Sequence, residues 1–509
     1  MAVDTADKRL EQANELYLRA RHDEALQQLH GCEEWSAELA EKAIALRTEI
    51  VTLRDPIAGL RELASYQDAF VSSDARFEYY LASARAYTNT RNFDSARGML
   101  ASAEQLLSGP SDKRTGKLAY YRGRLDVITR QCDPSTTDFN AAINDDDPAL
   151  RFAALSWRSW MYAAVEDYRA QLADLREAFR LFAREGYRCN LHAVATSLHA
   201  MLRLAFELGE TAAVDEGEVA YDDLAWTNDI QQYRFLCSRA LAWDAYLRGE
   251  PARAQWLFKD SKDIAPTDAW KVMAHVDRAY VARMNDNEPW ALEEIECAHQ
   301  LAEHVPWGTT KGEERSALVT LAILYAPVDR ARAQSYVSTY ISIGRDNIDP
   351  TLTAIHDRRA VGFEKYALGC VQQVMGNTDL AIRSFETAFE IFSHTEHFYR
   401  AALAASALYE NTKDAAWLEV ARANALRFPQ SGLNRQLQGT HESRSNPVLD
   451  KLTPMQRQIA GAVAEGLDIE QMSRRFSRST FTIEKQLGEI LARLQLPSRA
   501  ALRTELRRT

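Results

Sequence analysis

Apolar residues recur every three to four positions along most of this chain, which is the period of an amphipathic helix rather than of a strand. The helices come in a recurring arrangement. In YLRARHDEALQQL (17–29), YTNTRNFDSARGML (87–100), YLRGEPARAQWLF (246–258) and MGNTDLAIRSFETAF (375–389), one helix ends, a polar turn follows, and an alanine opens the packed face of the next helix. The distance from the small residue to that alanine is the same in three of the four: Ala20 to Ala25, Gly249 to Ala254, and Gly376 to Ala381. Alanine fits there because two antiparallel helices approach too closely for a larger side chain. The pattern predicts tandem helix hairpins, with further degenerate copies at 151–183, 200–224, 276–303 and 316–342.

These segments resemble the tetratricopeptide repeat, a helix pair of about 34 residues. The resemblance implies an all-α architecture, an α-solenoid over residues 1–428, in which each hairpin buries its apolar stripe only against its neighbours. Its concave face would take a peptide, a protein or a small ligand. After Phe428 the texture changes: PQSGLNRQLQGTHESRSNPVLD (429–450) is polar, rich in turn-forming residues and without a helical apolar stripe, and it reads as a linker.

A second pattern begins at 451 and runs to 509. Thr453-Pro454-Met455-Gln456 is a capping box that opens a helix with Ile459, Val463 and Leu467 on one face. Asp468 caps a short helix carrying Ile469, Met472 and Phe476 inward. Ser479 caps a third helix, with Ile483, Leu487, Ile490, Leu491 and Leu494 inward and Glu484, Lys485 and Gly488 outward. Ser498 opens a fourth, with Leu502 and Leu506 apolar. Two short helices across a tight turn, the second with a polar outer face, describe a helix-turn-helix.

At LTPMQRQIAGAVAEGL…TIEKQLGEILARLQLPSR the tail resembles the LuxR-type (GerE-type) DNA-binding domain. The resemblance implies that the third helix enters the major groove of double-stranded DNA. Glu484 and Lys485 would then contact base edges, since Lys donates to guanine and Glu accepts from cytosine. Arg474, Arg475, Arg478, Thr480 and Thr482 would contact the phosphate backbone and position the domain. Leu502 and Leu506 would pair with a second subunit in a homodimer or complete a small core. The sequence departs from the family at the turn, where Ser477-Arg478 replace Gly and an apolar residue, and at Gln486, a place often held by His.

Charge supports this division. The whole chain carries −11, yet the tail from Lys451 holds eleven Lys and Arg against six Asp and Glu, a net +5, which leaves −16 for residues 1–450. Only the tail suits a polyanion. The remaining chemistry is sparse. No GxxxxGK[ST] loop is present, the nearest stretch at 111–118 lacking its first Gly and final hydroxyl, so no nucleotide cofactor is expected. Six cysteines without a CxxC pair read as reduced thiols, and no apolar run spans a membrane. His394 and His397 stand one helical turn apart without an evident third metal ligand. The cluster Arg151, Trp157, Arg158, Trp160, Tyr162 and Tyr168 reads as core packing before it reads as a ligand groove. No catalytic constellation is found.

The expectation is therefore a cytoplasmic bacterial transcription regulator, not an enzyme, with a sensing solenoid, a contact to RNA polymerase among its partners, and a DNA-reading tail. The alternative is a protein-interaction scaffold whose helix-turn-helix no longer reads DNA.

Overall fold

The computed structural model describes residues 3–66, 70–109, 112–129, 138–284, 287–310, 312–346, 358–442, 452–465, 467–476, 478–494, 496, 498–499 and 501–502. Among these, helices alternate with short turns and no strand occurs. The chain divides into two compact units, Met1–Asn434 and Arg435–Thr509.

In the first unit each helix packs against the next, as Tyr168–Glu185 does on Pro148–Ala164, Pro251–Ile264 on Gln231–Leu247, and Thr378–His394 on Arg358–Val374. Leading helices of successive hairpins also meet, as Leu191–Leu208 meets Gln231–Leu247 and Asp268–Met284 meets Gly312–Tyr325. This is a helical-repeat architecture.

One backbone device recurs at the hairpin turns. Ala20, Arg91, Glu166, Gly209, Gly249, Gly376 and Glu396 all have positive φ, between 50° and 82°. In each case the amide of the following residue reaches back to a carbonyl five residues earlier at 2.8–2.9 Å, for example Asn92 to Tyr87 and His397 to Phe392. This is the Schellman closure, which satisfies carbonyls that a helix end would otherwise leave bare. Five residues after each of these positions stands a buried residue: Ala25, Ala96, Gln171, Val214, Ala254, Ala381 or Ala401, none more than 2% exposed. The spacing seen in three segments thus extends to seven turns, and the fourth quoted segment obeys it through Arg91 and Ala96.

The first unit also closes on itself. Thr227 Oγ1 donates to the carbonyl of Ala20 at 2.8 Å, and the His22 amide donates to Asp229 Oδ2 at 2.9 Å. Arg169 Nη2 reaches Glu396 Oε2 at 2.6 Å, and Arg359 pairs with Glu207. The path of hairpins therefore returns after 152 to 227 residues, so successive turns of the winding touch.

Where a linker was expected, the structure places a helix at Gly432–Glu442. Ser431 Oγ accepts the Asn434 amide at 3.1 Å as its cap, and Leu433 and Leu437, one turn apart, are each 3% exposed. A helix of this length is marginal alone, and the burial of these two leucines supports it, a signal that the polar composition concealed. Residues 443–450 lie outside the described set.

Candidate nucleic-acid interface

The second unit has its own core. Leu452, Ile459, Ala460, Val463, Met472, Ile483, Leu487 and Ile490 are buried together, with Leu467, Ile469, Phe476, Leu491 and Leu494 packed around them. Apart from Leu452, Leu467 and Phe476, which flank the helices, these residues come from helices Pro454–Glu465, Ile469–Arg475 and Thr480–Leu494, the last of which touches both others.

Local hydrogen bonds set the helix starts. The Thr453 amide donates to Gln456 Oε1 at 3.2 Å and the Gln456 amide donates to Thr453 Oγ1 at 3.3 Å, a reciprocal capping box. Asp468 and Gln471 repeat it at 2.9 and 2.7 Å. The spacing D-x-x-Q signals this second box, of which only the Asp cap was expected. Ser479 Oγ accepts the Thr482 amide at 3.1 Å, and Ser498 Oγ accepts the Ala501 amide at 3.2 Å. Between the second and third helices, Ser473 Oγ donates to the Arg478 carbonyl at 2.6 Å and the Arg478 amide returns to the Ser473 carbonyl at 3.0 Å. Gln456 Nε2 donates to Glu489 Oε2 at 3.3 Å, and Arg493 Nη1 to Gln456 Oε1 at 3.1 Å, which fixes the third helix against the first.

The sequence-selected residues fall as follows. Glu484 and Lys485 are exposed side by side on helix Thr480–Leu494, and Arg475, Arg478 and Thr480 are exposed around the turn that leads into it. Thr482 is half-buried beside its cap, its hydroxyl 2.8 Å from that of Ser479. The side chain of Arg474, together with Ser477 and Leu506, lies outside the described residues. Leu502 is fully buried in this unit's own core, the second of the two roles the sequence offers for it. One residue was missed: Phe481, 74% exposed in the first turn of the third helix. Its helical phase with Glu484, Lys485 and Gly488 was the available signal.

In the body, the arginine and aromatic cluster packs internally. Arg158 holds Asp174 through two bonds of 2.7 Å, while Trp157 lies under the Arg124 guanidinium at 4.8 Å and flanks a core with Trp160. Tyr168 lies under Arg359 at 4.5 Å, and Arg151 Nε donates to the Ile143 carbonyl at 3.2 Å. A second cluster gathers around Arg400, whose guanidinium sits 4.5 Å from the Phe363 ring and 5.8–5.9 Å from those of Trp243, Tyr280 and Tyr399. Next to Trp243, burial raises the carboxyl of Asp244 to about 6, although Arg248 Nε stands 2.6 Å away. His394 pairs with Glu166 at 2.6 Å and His397 is 3% exposed against Phe363 and Phe392, so the two imidazoles do not converge. Among the described residues no group of three metal-type ligands is found, and no helix is long and apolar enough to cross a membrane.

No family profile matches the chain, and no curated protein is similar to it in sequence. Among solved structures, a chain in the crystal structure of the APC/C hetero-tetramer Cut9–Hcn1 is similar over 86% of this chain and 87% of its own, at 12% identity and a TM-score of 0.34.

Proposed function

We propose that the chain is a DNA-binding transcription regulator, with a tetratricopeptide-like body that senses a peptide, protein or small ligand and a LuxR-type helix-turn-helix at its C-terminus. The observation that carries this reading is the outer face of helix Thr480–Leu494. It is capped by Ser479, held against two other helices by a core of its own, and it presents Glu484 and Lys485 to solvent next to the exposed Arg475 and Arg478. A short helix, a tight turn and a longer helix with such a face match the geometry that places side chains on base edges. The +5 balance of residues 451–509 suits the phosphates.

The test is binding of the full chain to duplex DNA by fluorescence anisotropy, repeated across a salt series. With three tail cations on phosphates, log K falls against log salt with a slope of about −3 per subunit. Absence of binding at low salt contradicts the proposal. It would leave the second reading, a protein-interaction scaffold, which the Ser477-Arg478 departure and the helical-repeat body favour.

A further inference from the structure

Among the described residues no large apolar side chain is more exposed than Phe481, at 74%. Its position is not an accident of a frayed end. Ser479 caps the helix one residue before it begins, and Ile483, two residues on, is completely buried. Phe481, Glu484, Lys485 and Gly488 stand at i, i+3, i+4 and i+7, so they form one continuous outward stripe, and all four are exposed. The far end of that stripe is also unexplained by packing. Among the described residues, a β-carbon built on Gly488 meets no atom within 4 Å beyond its own stretch of helix, so their packing does not require a glycine there. Glycine in a helix interior lowers helix stability relative to alanine, and a bare phenyl ring gains nothing from water. Both features disfavour this helix in isolation, and both make sense against a partner that lies close along the stripe.

Resting on the DNA-binding reading above, we propose that Phe481 is a base-reading residue that packs on the C5-methyl group of a thymine in the major groove, beside the bases met by Glu484 and Lys485. The occupant is assigned by charge: Arg475 and Arg478 are exposed at the turn that precedes this stripe, and the tail carries a net +5. The major groove offers one apolar feature to an aromatic ring, the thymine methyl, and it lies at groove-floor height among the hydrogen-bonding edges. Gly488, without a side chain, lets the helix axis approach the backbone at the other end of the stripe.

The experiment uses the full chain. Preferred duplexes are selected from random sequence, and each thymine in the selected site is then replaced singly by deoxyuridine, which removes only the methyl group. Wild type is expected to lose about fourfold in affinity at one thymine position per half-site, the value of burying one methyl group. Phe481→Ala is expected to bind the thymine duplex more weakly by a similar factor and to show no difference between thymine and uracil. Phe481→Leu, still apolar, is expected to keep a preference for thymine. Since Phe481 is exposed, these variants fold as the parent does. Indifference of wild type to every replacement, or undiminished thymine preference in Phe481→Ala, overturns the assignment while leaving DNA binding intact. A chain that selects no sequence overturns both this inference and the reading beneath it.

Discussion

Arg359 and Glu207, 152 residues apart in sequence, form an ion pair in the interior of the helical-repeat unit, at 4% and 7% exposure. The pair joins two windings of the hairpin path, and the guanidinium also lies over the Tyr168 ring. Removal of one member leaves the other charge buried. Glu207→Ala is therefore expected to lower unfolding stability by roughly 3–5 kcal/mol, whereas replacing both residues by apolar ones of similar volume is near neutral. Urea denaturation measures both, and a loss under about 1 kcal/mol in the single variant would show that the pair does not hold the windings together.

Asp244 makes stability depend on pH. Its carboxyl titrates near 6 in the folded protein because burial disfavours the charged form, against 3.8 for an unhindered aspartate. Below about pH 4 the acid is protonated in both states and contributes no penalty. As pH rises from there through 6, the folded state must carry a buried charge, so the stability present in acid is lost. Asp244→Asn is expected to be more stable than wild type by roughly 1–3 kcal/mol at pH 7.5 and equal to it at pH 4. Arg248 retains Asp215 at 2.8 Å in that variant. Thermal melts at the two pH values check it, and a difference independent of pH refutes the assignment.

The hairpin turns make a prediction of opposite signs. Gly376, at φ 82°, becomes strained with any side chain, so Gly376→Ala is expected to cost about 1 kcal/mol although its β-carbon would meet nothing. Arg91 holds the same role at φ 63° with a side chain already in place. Arg91→Gly is expected to stabilise by up to about 1 kcal/mol as that strain is released. If denaturant midpoints move the same way in both variants, the turns are not equivalent.

Those turns also show how far the sequence could be read. The helical period and the small-residue-to-alanine spacing revealed the hairpins wherever Gly249 or Gly376 marked a helix end. The periodicity also marked a helix pair at 151–183, but the spacing did not identify Glu166 or Glu396 as turn residues, because nothing in the letters E-D-Y or E-H-F announces a left-handed residue; the chain accepts the strain there to close the helix. The return of the path onto itself was invisible for a different reason. Arg359 with Glu207 and Arg169 with Glu396 are ordinary charged residues whose meeting depends on the curvature accumulated over many hairpins. In the tail, local signals carried more. Thr453, Asp468 and Ser479 cap helices as their spacing implied, and Ile483, Leu487 and Ile490 face inward. Leu502 was read as either dimer contact or core, and its environment is core. Phe481 shares the helical phase of Glu484, Lys485 and Gly488, which places it on the outer face although its side chain is apolar.

The central claim, that helix Thr480–Leu494 reads DNA, is tested most directly by the sequence preference of Lys485→Ala beside that of Arg478→Ala. Both would be measured with the full chain against a duplex library at one fixed salt concentration. Lys485→Ala is expected to cost about 1–3 kcal/mol on the preferred site and to relax preference at a single base position, while Arg478→Ala weakens all sequences alike. A uniform loss in both variants, with the preferred sequence unchanged, would contradict the account.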